Sequence, residues 1–336
     1  MNPAVEATAP ARIDLCGGTL DIWPLNLMFD KAMTVNMAVT VMARASVTAR
    51  KDGGVEIVSQ DQGTRIEFPS MTAVHHHHKL GLVSRLILQF LEGKEGVSVV
   101  TSSQAPAGSG LGGSSALNIA LCAALSRHAG LKLAKPRILD IAKDVEAAHL
   151  GIPTGLQDYL AALRGGANVF GFPPGGVVIK KIPDGPAREL ERRVILFFSG
   201  AGRSSGINNW EMFRLVIGKD RRTLKLFGDI AARAGDAAGA LLMGDMDGFT
   251  RAVAGEWSAR AKLFTAISTP AIDKAIAAGT RAGARAARIC GAGGGGCFFL
   301  IADPAERARV IGAVERTGAT HMDYRIAKTG VRTKAV

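Results

Sequence analysis

The segment Pro106-Ala-Gly-Ser-Gly-Leu-Gly-Gly-Ser-Ser-Ala116 constrains this chain more than any other. An apolar β-type run, Val97–Ser102, precedes it, and Ala116–His128 is apolar enough for a buried helix. Glycines permit positive φ and let the backbone approach a ligand closely. A helix that starts at such a loop presents unpaired N–H groups and the positive end of its dipole. A strand, a glycine loop and a helix in that order make a phosphate cradle. Its lining would come from Pro106, Gly108, Ser109, Gly110, Leu111, Gly112, Gly113, Ser114 and Ser115. The segment is not GxxxxGK[ST], because no lysine follows the last glycine, nor is it GxGxxG with an acidic residue about twenty positions on. Phosphate binding is therefore expected on neither of the two commonest nucleotide folds.

A second glycine loop, Cys290-Gly-Ala-Gly-Gly-Gly-Gly-Cys297, enters the apolar strand Cys297–Ala302. Alone it says little; beside the first loop in space it would say much. The remaining pattern is mixed. Val5–Leu15 and Met33–Ala49 read as strands, and Val55–Val58 with Thr64–Phe68 as a hairpin. Lys79–Leu91 places its apolar residues on one helical face, and a second helix follows through Ile138–Ala148. Gly165–Phe172, Gly176–Ile182 and Val194–Phe198 read as strands. Ala/Arg/Leu-rich helices are expected through about 207–286, then a helix near 304–317 and a last strand near Tyr324–Ala327. The fold class is α+β, with a change of pattern near residue 187.

Lys and Arg number 41 against 29 Asp and Glu, a net charge of +12. Residues 1–187 hold 17 basic and 15 acidic residues, so the remaining 24 and 14 place most of the excess in the C-terminal part. Arg281, Arg285 and Arg288 fall at i, i+4 and i+7, the spacing of a solvated helical face. At 47% hydrophobic the chain is not dominated by disorder. No apolar run reaches the 18–20 or so residues that cross a bilayer, and no secretory signal is visible. Cys16, Cys122, Cys290 and Cys297 form no CxxC pair, which points to a reducing cytoplasm. The run His75–His78 reads as a solvated stretch before a helix, since four consecutive side chains cannot converge on one ion; a lone substrate-facing histidine is the alternative.

Three segments taken together resemble the GHMP kinase superfamily, the galactokinase, homoserine, mevalonate and phosphomevalonate kinases. Ala9-Pro-Ala-Arg-Ile-Asp-Leu-Cys-Gly-Gly-Thr-Leu-Asp21 resembles its first motif, Pro106–Ala116 resembles PxxxGLGSSAA, and Arg288–Gly296 resembles KxxGAGGGG. They occur in the family's order and span nearly the whole chain. The resemblance implies a two-domain GHMP kinase fold. A ribosomal-protein-like α/β domain would occupy residues 1–187, and a ferredoxin-like α+β domain residues 188–336. It also implies an ATP-dependent phosphotransferase with an alcohol acceptor, using ATP and Mg²⁺.

Within the superfamily, the Asp21 motif with Pro24 three residues on, the stretch 146–170, Phe197–Gly206, and Glu256-Trp-Ser with Ser268–Asp273 resemble heptose 7-phosphate kinases. Galactokinases carry GEHTDY where this chain has Gly17–Ile22. The resemblance implies Asp158 as catalytic base and Arg12 as its basic partner, with Glu146 and Ser114 or Ser115 holding Mg²⁺. Asp21 and Gly18 would bind the sugar, and Gly293 and Gly294 would line the substrate side. Arg203, whose fork of donors suits phosphate, would meet a sugar phosphate or support the active-site loop. Arg288 replaces the usual lysine of the third motif and receives no catalytic role.

The expected acceptor is the anomeric hydroxyl of D-glycero-D-manno-heptose 7-phosphate, with galactokinase-like or mevalonate-type chemistry as alternatives. A basic nucleic-acid-binding protein is the reading from another class. Against it, aromatic residues make up only 5% of the chain and no base-reading motif occurs. A small-molecule partner is therefore expected, rather than nucleic acid or membrane. The oligomeric state is not legible.

Overall fold

Strand β1 (Val5–Cys16) alternates at first and is then buried on both faces. Val5, Ala7 and Ala9 join one core, whereas Ala11, Ile13 and Leu15 join another beyond a register irregularity at Pro10/Ala11. Successive side chains of a strand point to opposite faces, so Arg12 and Asp14 project away from the second core. The computed structural model describes residues 4–91, 93, 96–202, 206–291 and 293–336.

The strand β1 pairs antiparallel with the long β2 (Met33–Arg50). After them come β3 (Val55–Ser59), β4 (Thr64–Phe68), α1 (Gly81–Leu91) and β5 (Gly96–Ser103). The helices α2 (Gly113–His128), α3 (Lys135–Leu150) and α4 (Gln157–Arg164) precede β6 (Ala167–Gly171) and β7 (Val178–Lys181). The helix α5 (Asp184–Arg193) leads to β8 (Val194–Phe198), then α6 (Gly206–Ile217), α7 (Arg221–Met243), α8 (Met246–Arg260) and α9 (Pro270–Arg281). The chain closes with β9 (Ala284–Ile289), β10 (Cys297–Ala302), α10 (Arg307–Glu315), β11 (Thr320–Met322) and β12 (Arg332–Ala335).

Two sheets result. The first runs β12-β1-β2-β5-β3-β4, with β6 also on β2 and β7 on β6. Apolar residues of α1, α2 and α3 cover part of it. The second is antiparallel, in the order β11-β8-β10-β9. Phe298 and Leu300 of β10 face α9 and α10, and the alternate residues Phe299 and Ile301 join the core shared with α7, α8 and β1. That shared core joins the two halves. The last strand, β12, returns to the first sheet against β1.

Several expectations change. The segment Ala284–Ile289 is a strand, not the end of a helix, because its Ala-rich sequence is buried beside β10. Arg288 is therefore not on a solvated helical face: it is fully buried. Near Tyr324–Ala327 there is only an isolated bridge, Val39 to Ile326, and the closing strand lies later. The helix α2 starts at Gly113, three residues earlier than its apolar run. In the histidine run, His78 Nδ1 accepts the Leu80 N–H at 3.1 Å just ahead of α1. No group of three or more His, Cys, Asp or Glu side chains among the described residues is placed to hold a metal.

Candidate active site

The cradle between β5 and α2 is built on backbone geometry. Gly108, Gly110 and Gly112 take φ of 67°, 74° and 69°. Gly112 is the N-cap of α2 and no side chain caps that helix, so its first N–H groups remain open to an anion. The Ser109 N–H donates to Pro106 O at 3.0 Å and tightens the turn. Leu111 is buried beneath it, and its carbonyl accepts the Arg12 N–H at 2.9 Å. Gly113 begins the helix under Ala105.

Arg12 and Asp158 meet at this cradle across 146 residues of sequence. Arg12 Nε and Nη2 lie 2.8 and 2.6 Å from Asp158 Oδ1, and Arg12 Nη1 donates to Gly110 O at 2.6 Å. One guanidinium thus ties the carboxylate to the loop. Burial works against its charge, but Asp158 and then Asp14 outweigh this and raise its pKa. Asp158 stands in the first turn of α4, and a Cβ on Gly112 would come within 2.9 Å of its Oδ2.

Asp21 sits at the start of the same helix. Its Oδ2 accepts the Gln157 N–H at 2.9 Å, and its Oδ1 lies 3.4 Å from Gln157 Nε2. Burial pushes its pKa up to about 6, against the Gln157 N–H, which favours the ionised form. Gly155 has no room for a Cβ, which would lie 2.1 Å from Asp21 Oδ2. Gly18 is pressed on Asp14 in the same way.

On the other side of the cradle, Glu146 is buried on α3. Ser114 Oγ donates to its Oε1 at 2.8 Å, and Ser115 Oγ lies 3.3 Å from Oε2. Tyr159 also donates to Oε2, and its hydroxyl keeps its proton because burial, then Glu146, raises its pKa. Ser114 is exposed while Ser115 is buried. Neither caps the helix.

The two glycine loops touch. A Cβ on Gly296 would meet Gly108 O at 2.6 Å, and the Cys297 N–H donates to Ser109 O at 2.7 Å. Gly202 packs on Ala107, so the 199–202 segment arrives at the same place. Gly293 and Gly294 lie in the second loop but pack on Ile267, whose carbonyl accepts the Gly294 N–H at 2.6 Å. Arg203 lies outside the described residues.

Residues 81–166 match the GHMP kinases N terminal domain, and residues 227–320 match the GHMP kinases C terminal domain. The chain belongs to the GHMP kinase family. It is accordingly an ATP-dependent kinase with the α+β, two-domain fold of that family. The chain is 27% identical over 339 residues to a D-glycero-alpha-D-manno-heptose 7-phosphate kinase of Campylobacter jejuni, covering 98% of each chain. It is 28% identical over 261 residues to the mevalonate kinase of Pyrococcus abyssi, covering 75% of this chain and 72% of that one. Among solved structures, a D-glycero-D-manno-heptose 1-phosphate kinase from Bacteroides thetaiotaomicron superposes with a TM-score of 0.80, at 24% identity and 99% coverage of both chains.

Sequence reasoning passed over Asp14, Gln157 and Tyr159, which surround the site of this GHMP kinase. It also gave no role to Arg260. The one available signal was Asp14, which with Arg12 interrupts the apolar residues Ala11, Ile13, Leu15 and Cys16 at the buried end of β1, because a charge in such a run needs a buried partner.

Proposed function

We propose that this chain transfers the γ-phosphoryl group of ATP to the anomeric hydroxyl of D-glycero-D-manno-heptose 7-phosphate. The observation that carries the reading is the placement of Asp158, against Gly112 of the cradle and on the helix start that Asp21 engages. The similarity to a heptose 7-phosphate kinase over 98% of both chains supports the acceptor. In this reading residues 1–187 are the ATP-binding domain and 188–336 the second domain, with β12 lending its strand to the first. Cys16, Cys122, Cys290 and Cys297 are all buried and none forms a disulfide, which agrees with a reducing cytoplasm.

Phosphoryl transfer asks the protein for alignment and charge neutralisation more than for covalent chemistry. The open N-terminus of α2 holds the ATP phosphates. Asp21 and the loop containing Gly18 hold the sugar, with its reacting hydroxyl at Asp158. As the new O–P bond forms and ADP leaves, Asp158 accepts the hydroxyl proton. Arg12 fixes the orientation of that carboxylate and offsets charge spreading onto the phosphoryl oxygens. Glu146 Oε1 and Ser114 Oγ are hard oxygen donors 2.8 Å apart, and they fit Mg²⁺, which takes few protein ligands besides phosphates and water. Bound there, the ion would neutralise phosphate charge. The acceptor is tested by comparing kcat/KM for heptose 7-phosphate, galactose, fucose and mevalonate. Heptose 7-phosphate should lead, and a preference for mevalonate would overturn the sugar assignment.

A further inference from the structure

Asp14, Glu256, Arg260 and Arg288 form a line of charges, each no more than 1% exposed. Arg288 donates through Nη2 to Asp14 Oδ2 at 2.8 Å and through Nε to Glu256 Oε2 at 2.9 Å. Its Nη1 also donates to the Asp14 carbonyl at 2.5 Å. Arg260, one helical turn beyond Glu256 on α8, donates through Nε and Nη2 to Glu256 Oε1 at 2.8 and 2.7 Å. Two carboxylates and two guanidiniums leave the group neutral. Burial alone would raise the Glu256 pKa, but Arg260 and Arg288 hold it down at about 2, so the carboxylate stays ionised.

Such a group is a poor device for stability, because replacing a buried ion pair by apolar residues of similar volume is often neutral or stabilising. Its far end touches something specific. Arg260 Nη2 donates to Gly18 O at 2.7 Å, and its Nη1 lies 3.5 Å from Thr19 Oγ1. The Gly17 N–H donates to Glu256 Oε1 at 3.3 Å. The loop between these contacts has an unusual backbone: φ is 85° at Gly17 and 81° at Thr19, a region β-branched residues rarely enter. Two residues later the chain reaches Asp21. Side chains of α8 therefore grip both a donor and an acceptor of a strained loop from the first motif, 239 and 242 residues away.

We propose that Glu256 and Arg260 are positioning residues for the acceptor: they hold Gly17–Thr19, and through it Asp21, in the shape that binds the sugar. This rests on the reading of that loop as the acceptor site. The phosphate cradle is held separately, by Arg12 and Asp158. Acceptor affinity should therefore depend on α8 while ATP affinity does not.

The test is the double variant Glu256→Met with Arg260→Met, which leaves Asp14 and Arg288 as a balanced pair. It should fold cooperatively and keep its ATP KM within about two-fold, while the acceptor KM rises about ten-fold or more. Arg260→Lys keeps the charge but cannot span the same contacts, and it should show the same split to a smaller degree. If the double variant fails to fold, Arg260→Lys decides the question. A folded variant with an unchanged acceptor KM would overturn the proposal, as would acceptor and ATP KM rising together. Asp21→Asn, assayed in parallel, separates the two layers. If it leaves the acceptor KM unchanged, the loop is not the acceptor site and the positioning role falls with it. If it raises the acceptor KM while the α8 variants do not, only the positioning role falls.

Discussion

Asp21 keeps its carboxylate where charge is penalised, and this has a sign that can be measured. Its pKa in the folded protein is about 6, against an ordinary value of 3.8, so the folded state holds the proton more tightly than the unfolded chain. Its contribution to stability is therefore fullest below pH 4 and is lost as pH rises through 6, by about 3 kcal/mol. Asp21→Asn should remove that loss. Urea denaturation should find it more stable than the parent at pH 7, with the difference closing towards pH 4. The acceptor KM of the parent should fall as pH rises through 6, because the ionised carboxylate is the better acceptor for sugar hydroxyls. At Arg12 the matching expectation concerns geometry. Arg12→Lys retains a cation but cannot reach Gly110 O and Asp158 together. Its kcat should drop by about 10²-fold with ATP affinity little changed, as read in steady-state kinetics.

Among the elements, α2 carries the clearest discrimination. Its first turn presents two serines that the sequence left equivalent, because the apolar run begins only at Ala116 and says nothing of where the helix starts. With the start at Gly113, Ser114 is exposed and shares Glu146 Oε1, while Ser115 is buried against Oε2. Ser114→Ala should raise the Mg²⁺ concentration for half-maximal activity about ten-fold, and Ser115→Ala should shift it less than about three-fold. Gly112→Ala tests the contact between cradle and base. Its φ of 69° suits glycine, and a Cβ would strike Asp158. The backbone strain alone amounts to about 1–3 kcal/mol, so thermal melting should shift downward and turnover should fall with it.

At the scale of the molecule, the strand–loop–helix cradle was legible as a short spacing, and the resemblance pointed to Arg12, Asp158 and Glu146, which the fold brings to that cradle. What was not legible depends on distant partners. Arg288 belongs to an Ala/Arg-rich stretch whose spacing also suits a helix, and only the neighbouring β10 makes it a strand and turns the guanidinium inward. The same holds for Glu256 and Arg260, whose i,i+4 spacing looks like a surface pair until α8 is packed against β1 and β9. The basic excess of the C-terminal part therefore has two components. Arg285 pairs with Asp247 at 41% exposure, whereas Arg288 and Arg260 are spent inside the fold. The two glycine loops, weak evidence one at a time, become one site because Gly296 lies on Gly108 and Ser109.

The central claim is that Asp158, fixed by Arg12 against the phosphate cradle, serves transfer to a sugar hydroxyl. It is tested most directly by measuring ADP formation from ATP and Mg²⁺ with D-glycero-D-manno-heptose 7-phosphate, for the parent and for Asp158→Asn, alongside ATP affinity. The parent should release ADP in step with sugar phosphorylation. The variant should bind ATP normally and lose about 10²–10⁴-fold in kcat. Undiminished turnover in Asp158→Asn, or no sugar-dependent ADP from the parent, would contradict it.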